Sequence, residues 1–197
     1  MKSEDLIRNK ILNASEKRML KFGYRKVTMD EVAQDLVMSK NTIYKQFASK
    51  EEIAKCLVNR LQQKINSGLD NIEKTEGYPL KVFSHSILFL RKQLGPWFEH
   101  FFKEIPTELP HLWEEFLRYR NEKISDIRSL MDSGIKKGIF RKINRSIAVQ
   151  AYLGALKAII SPKFLEEENL SFDEALNAVL DIWASGILTK KGRKSDD

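Results

Sequence analysis

The 197-residue sequence holds one cysteine, Cys56, so it has no internal disulfide framework. A single thiol fits a reducing, cytoplasmic setting. Its apolar runs are too short and too broken by charge to cross a membrane, and the opening MKSEDLIRNK has no apolar signal segment. The three histidines, His85, His100 and His111, do not have the spacing of a metal-binding helix motif. No G-x-S-x-G and no phosphate-cradling glycine loop occurs. Glu99-His100 with Glu104 sets a carboxylate one turn from an imidazole, a pattern ordinary on helix surfaces. These gaps speak against an enzyme, and no metal or cofactor is expected. No stretch alternates like a strand, and there is neither a repeat nor a low-complexity segment.

What is present is helix and positive charge. Apolar residues make up 42% of the chain, enough for a real core, and the formal net charge is +7. Residues 1–50 carry 11 Lys/Arg against 6 Asp/Glu, a net of +5, so most of the excess lies in the first quarter. That asymmetry suits a polyanionic partner. The same quarter is dense in helix starts. Thr28-x-x-Glu31 and Ser49-x-x-Glu52 are capping boxes, and Ser39 can cap a short helix between them. That helix, 40–47, has apolar residues only at Ile43 and Phe47, four apart, which anchors one edge and leaves the rest outside. Upstream, a helix is expected over 5–22, stopped by Gly23, and another over 29–36. Helix, short turn, helix is the DNA-binding arrangement.

Beyond it, Ile53, Leu57, Leu61, Ile65, Leu69 and Ile72 predict a long helix that Gly77-Tyr78-Pro79 ends, with Gly68 its weak point. A helix over 80–94 is expected to break at Gly95-Pro96. An aromatic-rich part follows, then helices over 112–137, 146–160 (capped by Ser146) and from the capping box Ser171-x-x-Glu174 onward. The fold class is therefore all-α, with about nine helices.

The run GYRKVTMDEVAQDLVMSKNTIYKQFASKEEI resembles the DNA-binding region of the TetR family of bacterial transcriptional regulators. The matching elements are Gly23-Tyr24, Thr28, Val32-Ala33, Ser39, Thr42-Ile43-Tyr44, Phe47 and Ser49-Lys50-Glu51-Glu52, in register over about 45 residues. The resemblance implies a helix-turn-helix DNA-binding domain over 1–50, a helical effector-binding and dimerisation domain over 51–190, and a flexible tail over 191–197. It implies DNA contacts at Thr28, Ser39, Lys40, Asn41, Thr42, Tyr44, Lys45 and Lys50, with Thr28, Tyr44 and Lys50 on phosphates. Lys and Asn can read guanine and adenine edges.

The sequence departs from the family twice. Val37 stands where a turn glycine is usual, so either the turn differs or the backbone is strained. Asn41 stands where a glycine is frequent, which adds a polar group able to reach DNA. Two further sets of residues follow from the resemblance. The dimer interface is expected at Ala151, Gly154, Ala155, Ala158, Leu176, Val179, Leu180 and Trp183. A pocket for a small, largely apolar effector is expected among His85, Phe89, Trp97, Phe101, Phe102, Trp113, Phe116, Tyr119, Arg120 and Tyr152. The implied function is a homodimeric repressor released from a palindromic operator in double-stranded DNA by that effector, with no membrane role. The alternative is a helical protein-interaction or architectural module with only non-specific DNA affinity.

Overall fold

A computed structural model describes residues 3–159, 162–190 and 192 of the chain. Among these are ten α-helices and no strand. They are α1 (Ser3–Phe22), α2 (Met29–Asp35), α3 (Lys40–Gln46), α4 (Lys50–Thr75), α5 (Pro79–Glu99), α6 (Phe101–Glu108), α7 (Pro110–Lys136), α8 (Arg145–Ile159), α9 (Pro162–Glu167) and α10 (Phe172–Ile187). None is long and apolar enough to cross a membrane. The chain forms two compact units. One holds the residues up to Thr75 with His85–Arg120; the other holds Glu76–Ser84 with the residues from Asn121 onward.

The first unit has a continuous apolar core. Ile11, Leu12 and Met19 of α1, Val32 and Ala33 of α2, and Ile43 of α3 with Phe47 just past its end pack with one stripe of α4: Ile53, Ala54, Leu57, Val58, Leu61 and Ile65. The spacing of three or four in that stripe keeps it on one side of α4. Trp97, Phe101, Phe102, Ile105, Leu112 and Phe116 extend the core through α5, α6 and α7. Gly68 is the gap that lets Phe89 in: a Cβ there would overlap the Phe89 ring. The expected weak point of α4 is thus a hole filled by a side chain of α5.

In the second unit α8 and α10 pack side by side. Trp183 Nε1 donates to the Ala148 carbonyl at 2.7 Å, and its ring lies 4.4 Å from that of Phe83 and 5.2 Å from that of Tyr152. Residues 139–141 run against the end of α10 through Arg141 N to Ile187 O at 2.8 Å and Thr189 N to Ile139 O at 3.0 Å.

Two expected boundaries move and one expected capping box is incomplete. α5 does not stop at Gly95-Pro96 but runs through Pro96 to Glu99. A proline inside a helix costs about 3 kcal/mol. Trp97 is buried one residue later against Phe101, 5.2 Å between rings, which holds the turn beyond it. α8 is capped by Asn144 rather than Ser146; Asn144 Oδ1 accepts the amides of Ser146 at 3.0 Å and Ile147 at 3.2 Å. The Ser49 box is half made. Ser49 Oγ accepts the Glu52 amide at 3.1 Å, but the Glu52 carboxylate takes the Ala48 amide at 2.8 Å instead of reaching back to Ser49. The helix end expected at 160 lies outside the described residues, as does the tail expected over 191–197 apart from residue 192.

Candidate nucleic-acid interface

α3 has seven residues, too few to hold a helix by hydrogen bonding alone. Two devices hold it. Ser39 caps it, its Oγ accepting the Thr42 amide at 3.1 Å and sharing a hydrogen with Thr42 Oγ1 at 2.8 Å. Ile43 and Phe47 are buried, each burial worth about 1.5–3 kcal/mol. Arg8 of α1 closes the far end: its guanidinium lies 4.0 Å above the Phe47 ring, donates to the Gln46 carbonyl, and pairs with Glu52 at 3.3 Å.

α2 is set by the complete capping box. The Glu31 amide donates to Thr28 Oγ1 at 3.3 Å, and Glu31 Oε2 accepts the Thr28 amide at 2.8 Å. The Thr28 amide, and its hydroxyl at 3.0 Å, both donate to the Glu31 carboxylate and hold it below the ordinary range. Arg18 of α1 fastens the other end through Asp35, at 2.8 Å, and holds its carboxyl low as well.

Between α2 and α3 lies a helix-ending motif in which Val37 N donates to Gln34 O at 3.1 Å and Met38 N to Ala33 O at 2.9 Å. The residue at its left-handed position is Val37, with φ +52°. Of the two outcomes left open by the sequence, the turn is therefore the usual one and the valine is strained.

The expected DNA contacts separate on this frame. Asn41, Tyr44 and Lys45 are exposed, and among the described residues none has a polar partner within the chain. Lys40 pairs with Asp30, and Thr42 and Ser39 satisfy each other at the helix start. Thr28 is exposed but its hydroxyl belongs to the cap. Lys50 differs most from expectation. Its ammonium donates to the Tyr24 carbonyl at 3.0 Å and lies 4.1 Å above the Tyr24 ring. Burial lowers its pKa. It pins the α1–α2 turn from within, adding a second bond to the Tyr24 carbonyl, which also accepts the Val27 amide at 3.3 Å.

Arg25 and Lys26, next in that turn, are both exposed, and neither is among the expected contacts. The guanidinium of Arg25 pairs with Glu108 of α6 at 2.8 Å, and the Arg25 amide donates to Glu104 at 2.7 Å. The only available signal was its place between Gly23 and the Thr28 cap.

Of the ten residues expected to line an effector pocket, nine belong to the first unit and Tyr152 to the second. Trp97, Phe101, Phe102, Trp113 and Phe116 pack on one another at ring distances of 4.4–6.0 Å within the first unit. Phe89 fills the Gly68 gap, and Tyr119 Oη donates to Asn66 Oδ1 at 3.0 Å. His85 and Arg120 are exposed. Tyr152 belongs to the second unit, where it is buried and its hydroxyl has no partner among the described residues. Burial pushes its pKa up. The expected dimer residues divide too. Leu176, Val179 and Trp183 are buried inside the unit, and Ala155 and Leu180 are half-buried. Ala151, Gly154 and Ala158 are exposed, beside Ile147 on the same face of α8 and Ile182 on α10.

Residues 11–56 match the family described as bacterial regulatory proteins, tetR family. The chain is 27% identical over 155 residues to the HTH-type transcriptional regulator YhgD of Bacillus subtilis (strain 168), covering 76% of this chain and 80% of that one. Its fold is similar to a TetR-family transcriptional regulator from Marinobacter aquaeolei VT8, with TM-score 0.78 and 20% identity over 98% of this chain and 95% of that one. It is similar also to a transcriptional regulator from Saccharomonospora viridis in complex with choline, with TM-score 0.79 and 16% identity over 93% and 98% of the two chains.

Proposed function

We propose that this chain is a transcriptional regulator of the TetR family, a homodimeric repressor that reads a palindromic operator with α3 and leaves it when a small molecule binds. The observation that carries this reading is the outer side of α3. Asn41, Tyr44 and Lys45 stand exposed and unengaged on a helix whose inner edge, Ile43 and Phe47, is buried. The most basic part of the chain surrounds them. Asn41 has the donor and acceptor pair that suits adenine, Lys45 a donor for guanine or phosphate, and Tyr44 a hydroxyl for phosphate. Residues 1–50 would be the reading head, 51–190 the effector and dimerisation part, and 191–197 a tail.

A second copy would dock on the exposed strip of Ile147, Ala151, Gly154 and Ala158 on α8 with Ala178 and Ile182 on α10. Ile147 is 64% and Ile182 74% exposed, and small residues between them permit close approach of helices. Leu176, Val179 and Trp183 support that face from behind. A dimer places two α3 helices about 34 Å apart, one turn of DNA. The effector would enter near Tyr152. Its buried, unpartnered hydroxyl beside the Phe83 and Trp183 rings suits a largely apolar molecule carrying one hydrogen-bonding group. The choline complex of the Saccharomonospora viridis regulator supports a small-molecule role for this fold.

The test is selection of bound fragments from random duplex DNA with the full-length chain, followed by competition. A palindrome preferred over bulk DNA by about 10³-fold or more supports the reading. Absence of any preferred sequence favours the architectural alternative. Asn41→Ala combined with Tyr44→Phe should weaken operator binding, and unchanged affinity refutes the assigned docking.

A further inference from the structure

The following rests on the regulator reading. The α1–α2 turn is held from two sides by groups of opposite sign. From α4, Lys50 Nζ donates to the carbonyls of Tyr24 at 3.0 Å and Arg25 at 3.5 Å. From α6, Glu104 accepts the Arg25 amide at 2.7 Å. Glu104 can come this close because residue 23 is glycine: a Cβ there would stand 2.8 Å from both carboxylate oxygens, and its φ of +85° already disfavours a side chain. One turn further along α6, Glu108 Oε1 accepts from Arg25 Nε at 3.0 Å and lies 2.8 Å from Nη2. The Arg25 side chain is 64% exposed all the same.

Glu108 grips an exposed arginine that lies three residues before the α2 cap, in the most basic quarter of the chain. It repels phosphates and occupies a cation. Both guanidinium bonds end on one oxygen, Glu108 Oε1, and a phosphate oxygen can accept the same pair. An exposed ion pair contributes little, so exchanging one anion for the other meets a small barrier.

We propose that Arg25 is a backbone-phosphate ligand of the operator complex, held in reserve by Glu108, which gives it up when a phosphodiester takes its place. Glu104 holds the main chain rather than the guanidinium, so it keeps the turn in position during the exchange. Lys50, with its ammonium spent on carbonyls, sets the height of the turn and does not make the contact itself. DNA affinity then depends on where α6 stands. A conformer that presses Glu108 onto Arg25 removes one phosphate contact, and by linkage DNA disfavours that conformer by the same factor.

The experiment measures affinity of the full-length chain for a random-sequence duplex across a salt series. Arg25→Gln should lower affinity and flatten the log–log salt dependence by about 0.9, the signature of one lost phosphate. Glu108→Gln should raise affinity at 0.1 M salt by several-fold, up to the roughly eightfold that one full contact is worth there. In the Arg25→Gln background, Glu108→Gln should change affinity by less than about twofold. An equal gain in both backgrounds means simple loss of a negative charge and overturns the proposal. An unchanged slope in Arg25→Gln overturns it as well. Glu108→Gln keeps Arg25 and decides alone if Arg25→Gln fails to fold; unchanged affinity in it is a refutation. Failure of the unsubstituted chain to bind duplex DNA at all would instead defeat the regulator reading, and this proposal with it.

Discussion

Val37 offers a sharp test of how the helix-turn-helix is built. Its φ is +52° and it is 93% exposed, so it contributes strain and almost no packing. An L-residue in the left-handed region costs roughly 1–2 kcal/mol, with β-branched side chains at the upper end. Val37→Gly removes that cost but adds about 0.5–1 kcal/mol of chain entropy to the unfolded state. The expected net is a stabilisation of about 0.5–1.5 kcal/mol. For a chain of this length that is a rise in melting temperature of roughly 1–6 °C. Val37→Asn, which tolerates this conformation without glycine's freedom, should also stabilise; Asn169 adopts the same φ of +52° here. Val37→Ala keeps a Cβ and should recover only part of the gain. Chemical denaturation at one fixed protein concentration cancels any dimer contribution. Loss of stability in both Val37→Gly and Val37→Asn would refute the strain argument and mean that the isopropyl group has a partner.

The remaining predictions concern other parts of the chain. Tyr152→Phe removes a buried hydroxyl with no partner among the described residues, so stability should rise by up to about 1–3 kcal/mol, and on the proposed effector site the response to a small molecule should be lost; a destabilised variant in denaturant titration would show that the hydroxyl is bonded. Ile182→Lys puts a charge on the exposed face of α10 and should give a folded monomer by sedimentation; an unchanged dimer rules out that face. Glu31 titrates below its unfolded value because of Thr28, so its stabilisation is complete above the ordinary carboxylate range and is lost as pH falls through the folded value. The stability gap between Glu31→Gln and the unsubstituted chain should therefore be widest at neutral pH and close on acidification. A gap that is constant down to about pH 2 refutes the capping account.

The sequence alone determined the helical class, the three-helix head and the side of α3 that turns outward. Those features are local. Thr28 with Glu31, Ser39 with Thr42, and Ser171 with Glu174 are each three residues apart, and Ile43 with Phe47 four, so the chain's own geometry brings them together. Only the tertiary structure decided that Lys50 turns in and Arg25 out, because the partner of Lys50, the Tyr24 carbonyl, lies 26 residues away, and those of Arg25, Glu104 and Glu108, lie 79 and 83 away. It likewise decided that Trp183 faces inward while Ile182 faces out, and that Trp97, Phe101, Phe102 and Phe116 fill a core. A helical repeat tells how many faces are apolar; which neighbour covers each one depends on elements distant in the chain. A surface ion pair is too weak to announce itself in composition.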